Sequence, residues 1–575
     1  MKANLLQFWL QNQLPIFLLL SHALHLSLSF NRGSVWNHFS RGHLSPFETF
    51  CDKSSYADTM ENNDRARKWS RPSTTNVKAL VDIWAGLAME DFHSAKLAEA
   101  IDQARIHATY KAGVRPVHPI DEQTRYEAFN RLRQRMFDLV RGENCDSRRG
   151  WIRSFERWQF TSKTYEGSLG SLGISDNIAF LDPLLPSVAE NNPAEQSLFE
   201  DLKKLENMSE EGARRISRRL QVDSANLSDA LYKRMLLRID REKEHNQSPP
   251  IKEIGAEGVD DTLKKKLLFP VQVTSNQYNG DKKVTLDASS ADKYSNRVRT
   301  FTVSAAHAAK LRHLWDYKRS GRKQQLSSHK DHEEAATTDN DSSSRTFEED
   351  LFSLLARYSV LEGYGWQAAV AQPVLAAMHT HFGVSLECFS SPLNSYMPSF
   401  CSLFPDTDAQ FGSLGSFFDF HPLEGSFEAN PPFVMPLMIK MVNHIEMLLS
   451  AATGPMSFAV VVPAWEDDAH WPLLVRSPFT TGSFTILAAD HSYCDGGQHE
   501  NSIAEKYRPA PFNTAVFFLQ NKLGKELWPL NPVSEASLKA AFAAARPSEV
   551  ALQNQRSRGL YSPSNKLDLD QASSE

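Results

Sequence analysis

The sequence predicts an α/β domain preceded by a mainly helical region. Three observations carry this. Between residues 76 and 255 apolar residues recur at near-helical spacing, as Leu80, Ile83, Leu87, Leu97 and Ile101, then as Phe129, Leu132, Met136 and Leu139. From Glu348 onward, short apolar runs of strand length alternate with longer amphipathic stretches. Between one such run and one such stretch lies Asn430-Pro431-Pro432-Phe433. It is followed by a single helical stripe of Leu437, Met438, Met441, Val442, Ile445, Leu448 and Leu449.

Taken in order, residues 1–75 read as a leader. Its first 30 residues carry Lys2 and an apolar run from Leu14 to Leu28, interrupted by Pro15, His22 and His25. That is a weak signal-like segment or an extension of the gene ahead of Met60. Residues 31–75 are polar and expected to be disordered. The helical domain, 76–255, carries basic faces at Arg214, Arg215, Arg218, Arg219, Lys233, Arg234 and Arg238. These are either solvated helix surface or contacts to a nucleic-acid backbone. Trp151, Phe155 and Trp158 fit core packing better than a stacking cage.

A small mixed segment, 256–317, holds strands at 269–273 and 299–303 about a turn at Asn279-Gly280, then a helix from Ala305 to Tyr317. Residues 318–347 read as a disordered linker with a basic start. The α/β domain is expected over 348–535, with strands at 384–389, 456–462, 484–488 and 515–519 and a helix opened by Pro373 and stopped by Gly383. A helix and polar tail fill 536–575.

Composition narrows the functions. A net charge of −6 leaves any polyanion contact to local patches. The five cysteines form no Cys-x-x-Cys pair, which argues against a zinc cluster or disulfide framework and suits a reducing compartment. No metal is expected, because the histidines are too loosely spaced.

The chemistry of Asn430-Pro431-Pro432-Phe433 is narrow. Two prolines hold the backbone extended and offer no N–H, so the segment presents acceptors. The Asn430 amide oxygen and the Pro431 carbonyl could take both hydrogens of an exocyclic amine such as adenine N6. Phe433 could stack on the purine. Such a grip favours a more tetrahedral nitrogen and aims its lone pair at an electrophile. The alternative is a plain turn with Phe433 in the core.

The stretches Phe411–Phe418 and Gly425–Phe433 closely resemble the phosphorylated-CTD-interacting-factor family, as do Phe382–Asn394, Phe400–Asp408 and Asn513–Asn521. The similarity covers roughly 350–530. It implies a Rossmann-like, S-adenosylmethionine-dependent domain that methylates N6 of the cap-adjacent 2′-O-methyladenosine of mRNA, in the nucleus. It implies catalytic roles for Asn430, Pro431, Pro432 and Phe433, and cofactor contacts from Glu387, Cys388, Ser391, Pro392, Asn394 and Ser413. Glu387, read as the end of its strand, would accept from ribose hydroxyls. Substrate contacts would come from Trp465, Gln498 and His499.

Two stretches depart from the family pattern. Ala464 and Glu466 flank Trp465 where the family has Glu and Arg, and Cys494 stands where a basic residue is expected. Of the WW domain that reads the polymerase II C-terminal tail, only Trp69 and Pro72 resemble the end, so that module is expected to be absent. A non-catalytic cap- or polymerase-associated protein, and an adenine methyltransferase on DNA or internal RNA sites, remain as alternatives.

Overall fold

Pro119 opens helix α1 (Pro119–Gly142) in its first turn, where a missing N–H costs nothing and φ is already helical. Helices α2 (Gly150–Ser171), α3 (Pro193–Lys203) and α4 (Glu210–Gln247) follow. The computed structural model describes residues 101, 117–143, 150–171, 182–188, 192–247, 271–278, 281–287, 300–328, 345–361, 368–497, 499 and 507–546. All lie within one compact unit, Pro72–Glu575. The expected helix about Leu80–Leu97, the leader with its apolar run, and Trp69 and Pro72 lie outside the described residues. Among the described residues no helix is long and apolar enough to cross a membrane.

The predicted stripe Phe129, Leu132 and Met136 is buried against Phe155 and Trp158 of α2, Leu198 and Leu202 of α3, and Ile216 and Leu220 of α4. Trp158 is fully buried and its indole N–H donates to Gln221 Oε1 at 2.7 Å, so this aromatic group is core. The basic faces of α4 are matched by carboxylates: Arg214 with Glu210, Arg215 with Glu143, Arg218 with Glu195, Arg219 with Asp223, Lys233 with Asp229. Arg238 pairs with Asp121 at 2.6 Å. The α4 pairs with Glu210, Glu143, Glu195, Asp223 and Asp229 are of the kind found on exposed helix surfaces, whereas Asp121 is buried.

Strands β1 (Gln272–Tyr278), β2 (Asp281–Asp287) and β3 (Thr300–Ser304) form an antiparallel meander. Helix α5 (Ala305–Ser328) starts directly after it. The helix does not stop at Tyr317, and the segment expected to be a linker from 318 is helical as far as Ser328. Lys, Arg and Gln are good helix formers, and Arg319 stacks over Trp315 at 3.7 Å while Lys318 donates to the Ala409 carbonyl. Residues 329–344 lie outside the described residues.

Helix α6 (Phe347–Ser359) begins with a capping box between Thr346 and Glu349. Its Leu351, Leu354 and Leu355 belong to the same apolar core as α1 to α4, so packing runs across the boundary expected at 348. A buried ionic network joins these parts. Arg357, fully buried, takes Glu122 of α1 at 2.7 Å and Asp406 at 2.7 Å. Arg125 takes Glu122 and, at 2.8 Å, Asp182. The arginines hold the carboxyls of Asp182 and Asp406 below the usual range despite burial.

Beyond α6 come α7 (Gln372–Phe382), β4 (Leu386–Ser390), β5 (Ser399–Ser402), α8 (Pro405–Asp408), β6 (Gly425–Ala429) and α9 (Met435–Ala451). Then come β7 (Met456–Pro463), α10 (His470–Arg476), β8 (Thr480–Ile486), β9 (Ser492–Cys494), β10 (Tyr507–Pro509), β11 (Thr514–Gln520), α11 (Lys522–Leu527) and α12 (Pro532–Ala544). Gly383 ends α7 in the left-handed region (φ 63°), as predicted.

The six-stranded mixed sheet has the order β5-β4-β6-β7-β11-β8. Strands β5, β4, β6 and β7 pair in parallel, and β11 runs antiparallel to both β7 and β8. Residues alternate between the two faces. Phe427, Ala429, Phe458 and Val460 pack with Met438, Met441 and Ile445 of α9. Ala459, Val461, Val516 and Phe518 pack with Val374 and Met378 of α7 and Leu538 and Phe542 of α12.

One consequence is a pH-dependent stability. Burial pushes the Asp408 carboxyl up to about 7, although Tyr358 donates to it at 2.6 Å. A raised native pKa means the native state holds a proton that the unfolded chain releases. That contribution is present below the ordinary carboxylate range and is lost as pH rises through about 7. Urea unfolding of wild type and Asp408→Asn should therefore diverge as pH rises from about 4 to about 7, wild type losing stability relative to the variant. Parallel curves would show that Asp408 does not titrate there.

Candidate active site

The chain leaves β4 for β5 on one side and returns to β6 on the other. The crevice outside the carboxyl ends of β4 and β6 is thus a topological switch point, where open α/β sheets bind ligands. Asn430 follows β6 directly, at its carboxyl end. It is 7% exposed. Its Nδ2 donates to the Ala368 carbonyl at a long 3.4 Å, and its Oδ1 has no partner among the described residues. A buried acceptor left unmatched costs about 1–3 kcal/mol unless something fills it.

Pro431 is buried, and the Pro432 carbonyl accepts from Val434 N at 2.7 Å, which ties the rigid segment to the start of α9. Phe433 is half-buried and meets three rings edge-on: Phe512 at 5.5 Å, Tyr493 at 6.1 Å and Trp465 at 6.4 Å. Trp465 and Phe512 also touch, at 5.4 Å. Sequence reasoning named Trp465 and missed Phe512 and Tyr493. Both stand in short stretches with no periodic signal, and only the β9–β10 pair and the turn ahead of β11 bring them here.

Glu387 sits in the second position of β4 rather than at its end, because the strand runs on to Ser390. It is 3% exposed, and its Oε1 accepts from Tyr396 N and Met397 N, both at 2.6 Å. Ser390 Oγ donates to Glu387 and to Asn394 Oδ1, which also accepts from Ser391 N and Oγ. Glu387, Ser391 and Asn394 are therefore one network, with Pro392 buried inside the loop.

Two cofactor candidates stand apart from it. Cys388 points into the apolar face of α9, where burial pushes its thiol well above the usual range. Ser413 is paired to Ser402 at 2.6 Å beyond β5, between Gly412 (φ 94°) and Gly415 (φ 81°).

Lys310 of α5 was not foreseen. It is buried, and its Nζ donates to the Ser395 carbonyl at 2.6 Å. Burial lowers its pKa and the Glu387 carboxylate opposes this; Glu387 is in turn raised by burial and lowered by its two N–H donors and Lys310. The signal was present: Lys310 falls on the same helical stripe as the buried Leu314.

His499 neighbours Lys310, and burial lowers its pKa to about 4. Its carbonyl accepts from Ser304 N at 2.8 Å, linking this loop to β3. Gln498 lies outside the described residues. Among the described residues no three His, Cys, Asp or Glu side chains gather as a metal ion would require.

Residues 310–496 match the family described as phosphorylated CTD interacting factor 1 WW domain. The WW domain in that description runs against the expectation that this chain lacks one. The matched span is the region from α5 through β9, not the stretch about Trp69 and Pro72. The chain is 43% identical over 211 residues to proteins of Homo sapiens and Mus musculus, each named mRNA (2′-O-methyladenosine-N(6)-)-methyltransferase. The similarity covers 35% of this chain and 30% of each relative, so the chain spans less than a third of the length of the curated relatives it matches. Through the region that builds the mixed sheet and its crevice, the chain is similar to the phosphorylated CTD interacting factor family.

Proposed function

We propose that this chain transfers a methyl group from S-adenosylmethionine to N6 of the 2′-O-methyladenosine beside the cap of mRNA. The observation that carries the reading is the buried, unmatched Asn430 Oδ1 at the carboxyl end of β6. The activity named for the human and mouse relatives supports the substrate. Parallel strands on either side of a switch point, with the crossover helix α9, support a Rossmann-like domain.

The crevice suits the donor at the Ser390–Asn394 loop, which is braced by Glu387 beneath it. Those residues would hold S-adenosylmethionine, which when bound supplies an electrophilic methyl carbon on a sulfonium. The chain's own residues do the rest. Asn430 Oδ1 and the Pro431 carbonyl accept the two N6 hydrogens and turn the lone pair outward. Phe433 stacks on the adenine, worth ~1–3 kcal/mol by analogy with base–aromatic stacking. Trp465, Tyr493 and Phe512 fix the ring of Phe433. No strong base is needed, since the proton on N6 leaves readily after transfer. The family's description supports a second contact, with a phosphorylated C-terminal tail such as that of polymerase II, and we propose a nuclear setting.

Methyl transfer should be followed on RNAs differing only at the 5′ end. A capped RNA beginning with 2′-O-methyladenosine should be modified, and a triphosphate end or a first guanosine should abolish or sharply reduce the rate. Added salt should slow the reaction, as phosphate contacts release counterions. Equal rates on an internal-adenosine oligonucleotide would replace the cap reading with an internal-site enzyme. No transfer to any RNA by protein that binds RNA would leave a binding protein.

A further inference from the structure

We propose that Glu428 belongs to the same crevice as a binding residue that receives the positive charge of a sulfonium-type methyl donor. The inference rests on the methyltransferase reading above. Glu428 lies inside β6, two residues before Asn430, and is 2% exposed. Its register partner across the parallel pair is Glu387 of β4. Strand alternation puts Ser426, Glu428 and Asn430 on one face, while Phe427 and Ala429 enter the apolar core on the other. Glu428 Oε1, like Asn430 Oδ1, has no hydrogen-bond partner among the described residues. A buried carboxyl left unmatched destabilises a strand that an apolar residue would serve better.

The surrounding charges show what is missing. From β4 come Glu387 and Cys388, and from β9 comes Tyr493. On β7 the register partner is Ala459, which carries no charge. The histidines of α7 are engaged elsewhere, His379 with the Val384 carbonyl and His381 with Ser537. Lys310 sits against Glu387 and bonds the carbonyls of Leu393 and Ser395, with His499 beside it. Among the described residues Lys310 lies against Glu387, and no cation stands against Glu428. A donor carrying a sulfonium and an α-ammonium would supply one.

Burial, and then the Glu387 carboxyl, push Glu428 well above the usual carboxylate range, which favours its protonated form in the free protein. A cation binds the ionised form and expels that proton. Donor affinity therefore rises with pH, by up to about tenfold per unit below the free-state pKa.

Isothermal titration in two buffers of different ionisation enthalpy, from pH 6 to 8, reads both affinity and proton release on the full chain. Wild type and Glu428→Gln are each titrated with S-adenosylmethionine, S-adenosylhomocysteine (ammonium without sulfonium) and methylthioadenosine (neither charge). Glu428→Gln should fold with an unchanged melting temperature, since it replaces a neutral group by an isostere. It should bind S-adenosylmethionine about 10- to 100-fold more weakly, as expected for a lost hydrogen bond to a charge, and lose the extra proton release. Retention of the loss with S-adenosylhomocysteine assigns the ammonium, and its disappearance assigns the sulfonium; methylthioadenosine should bind both proteins alike. Equal affinity and equal proton release by the two proteins would overturn the role of Glu428 alone. Folded wild-type protein that binds no donor would overturn the methyltransferase reading and this inference with it.

Discussion

Asn430→Ala should lower single-turnover methylation by about 10²–10³, the loss seen when one preorganised polar contact to a transition state is removed elsewhere. The direction follows from what the side chain does at rest. Its oxygen has no partner, and its amide makes only a 3.4 Å contact to the Ala368 carbonyl. Truncation therefore removes little native bonding, and the melting temperature should stay near that of wild type. Without that acceptor the N6 lone pair remains conjugated with the purine, so turnover falls while donor binding changes little. If the segment were only a turn, the pattern would reverse, with a lower melting temperature and activity lost in proportion to folded protein. Melting and turnover measured on the same samples separate the two. A well-folded Asn430→Ala with wild-type turnover would defeat the mechanism.

Arg357→Met should cost the fold about 3–5 kcal/mol, the loss typical when one partner of a buried charge network is removed. Arg357 is fully buried and neutralises Glu122 of α1 together with Asp406 beyond β5. Without it Asp406 is left as a buried carboxylate with no guanidinium in contact. The loss is a large share of a typical stability of about 5–15 kcal/mol. Arg357→Lys should recover only part of it, because a point charge cannot bond both carboxylates in the forked geometry. The control is Arg218→Ala, whose 3.6 Å pair with Glu195 is exposed and whose removal should change stability by no more than about 0.5 kcal/mol. Equal unfolding free energies for Arg357→Met and wild type would show the network to be dispensable. Because Asp182 and Asp406 are held below the usual carboxylate range, the network's contribution is present above that range and disappears as pH falls through their lowered values.

Much of the fold was legible where local pattern and tertiary context agree. The apolar runs of β7 and β11 are buried on both faces, so composition alone marks them as central strands. Pro373 and Gly383 bracket α7 as their backbone preferences require. Strand β5, Ser-Phe-Cys-Ser, was missed because four residues with two serines carry no period. The end of α5 was misplaced because a basic run reads as linker until Trp315 and the Ala409 carbonyl are seen to engage it.

The candidate site divides in the same way. Asn430 to Phe433 announced themselves through covalent stiffness and acceptor chemistry, properties that four residues possess without a fold. Glu387, Ser391 and Asn394 were named, but their shared network and the burial of Glu387 depend on the loop to Met397 folding back over β4. Cys388 shows the limit of a strand read from sequence: period two leaves open which face is which, and the thiol faces α9. What the sequence by itself determined is the order of the elements, the rigid acceptor segment and the family resemblance, because each is written in neighbouring residues. What only the tertiary structure decided is the pairing of Glu428 with Glu387, the arrival of Lys310 from α5 and the rings about Phe433. These contacts join positions from about thirty to about eighty residues apart, and no local preference encodes a distance that only strand order and packing fix.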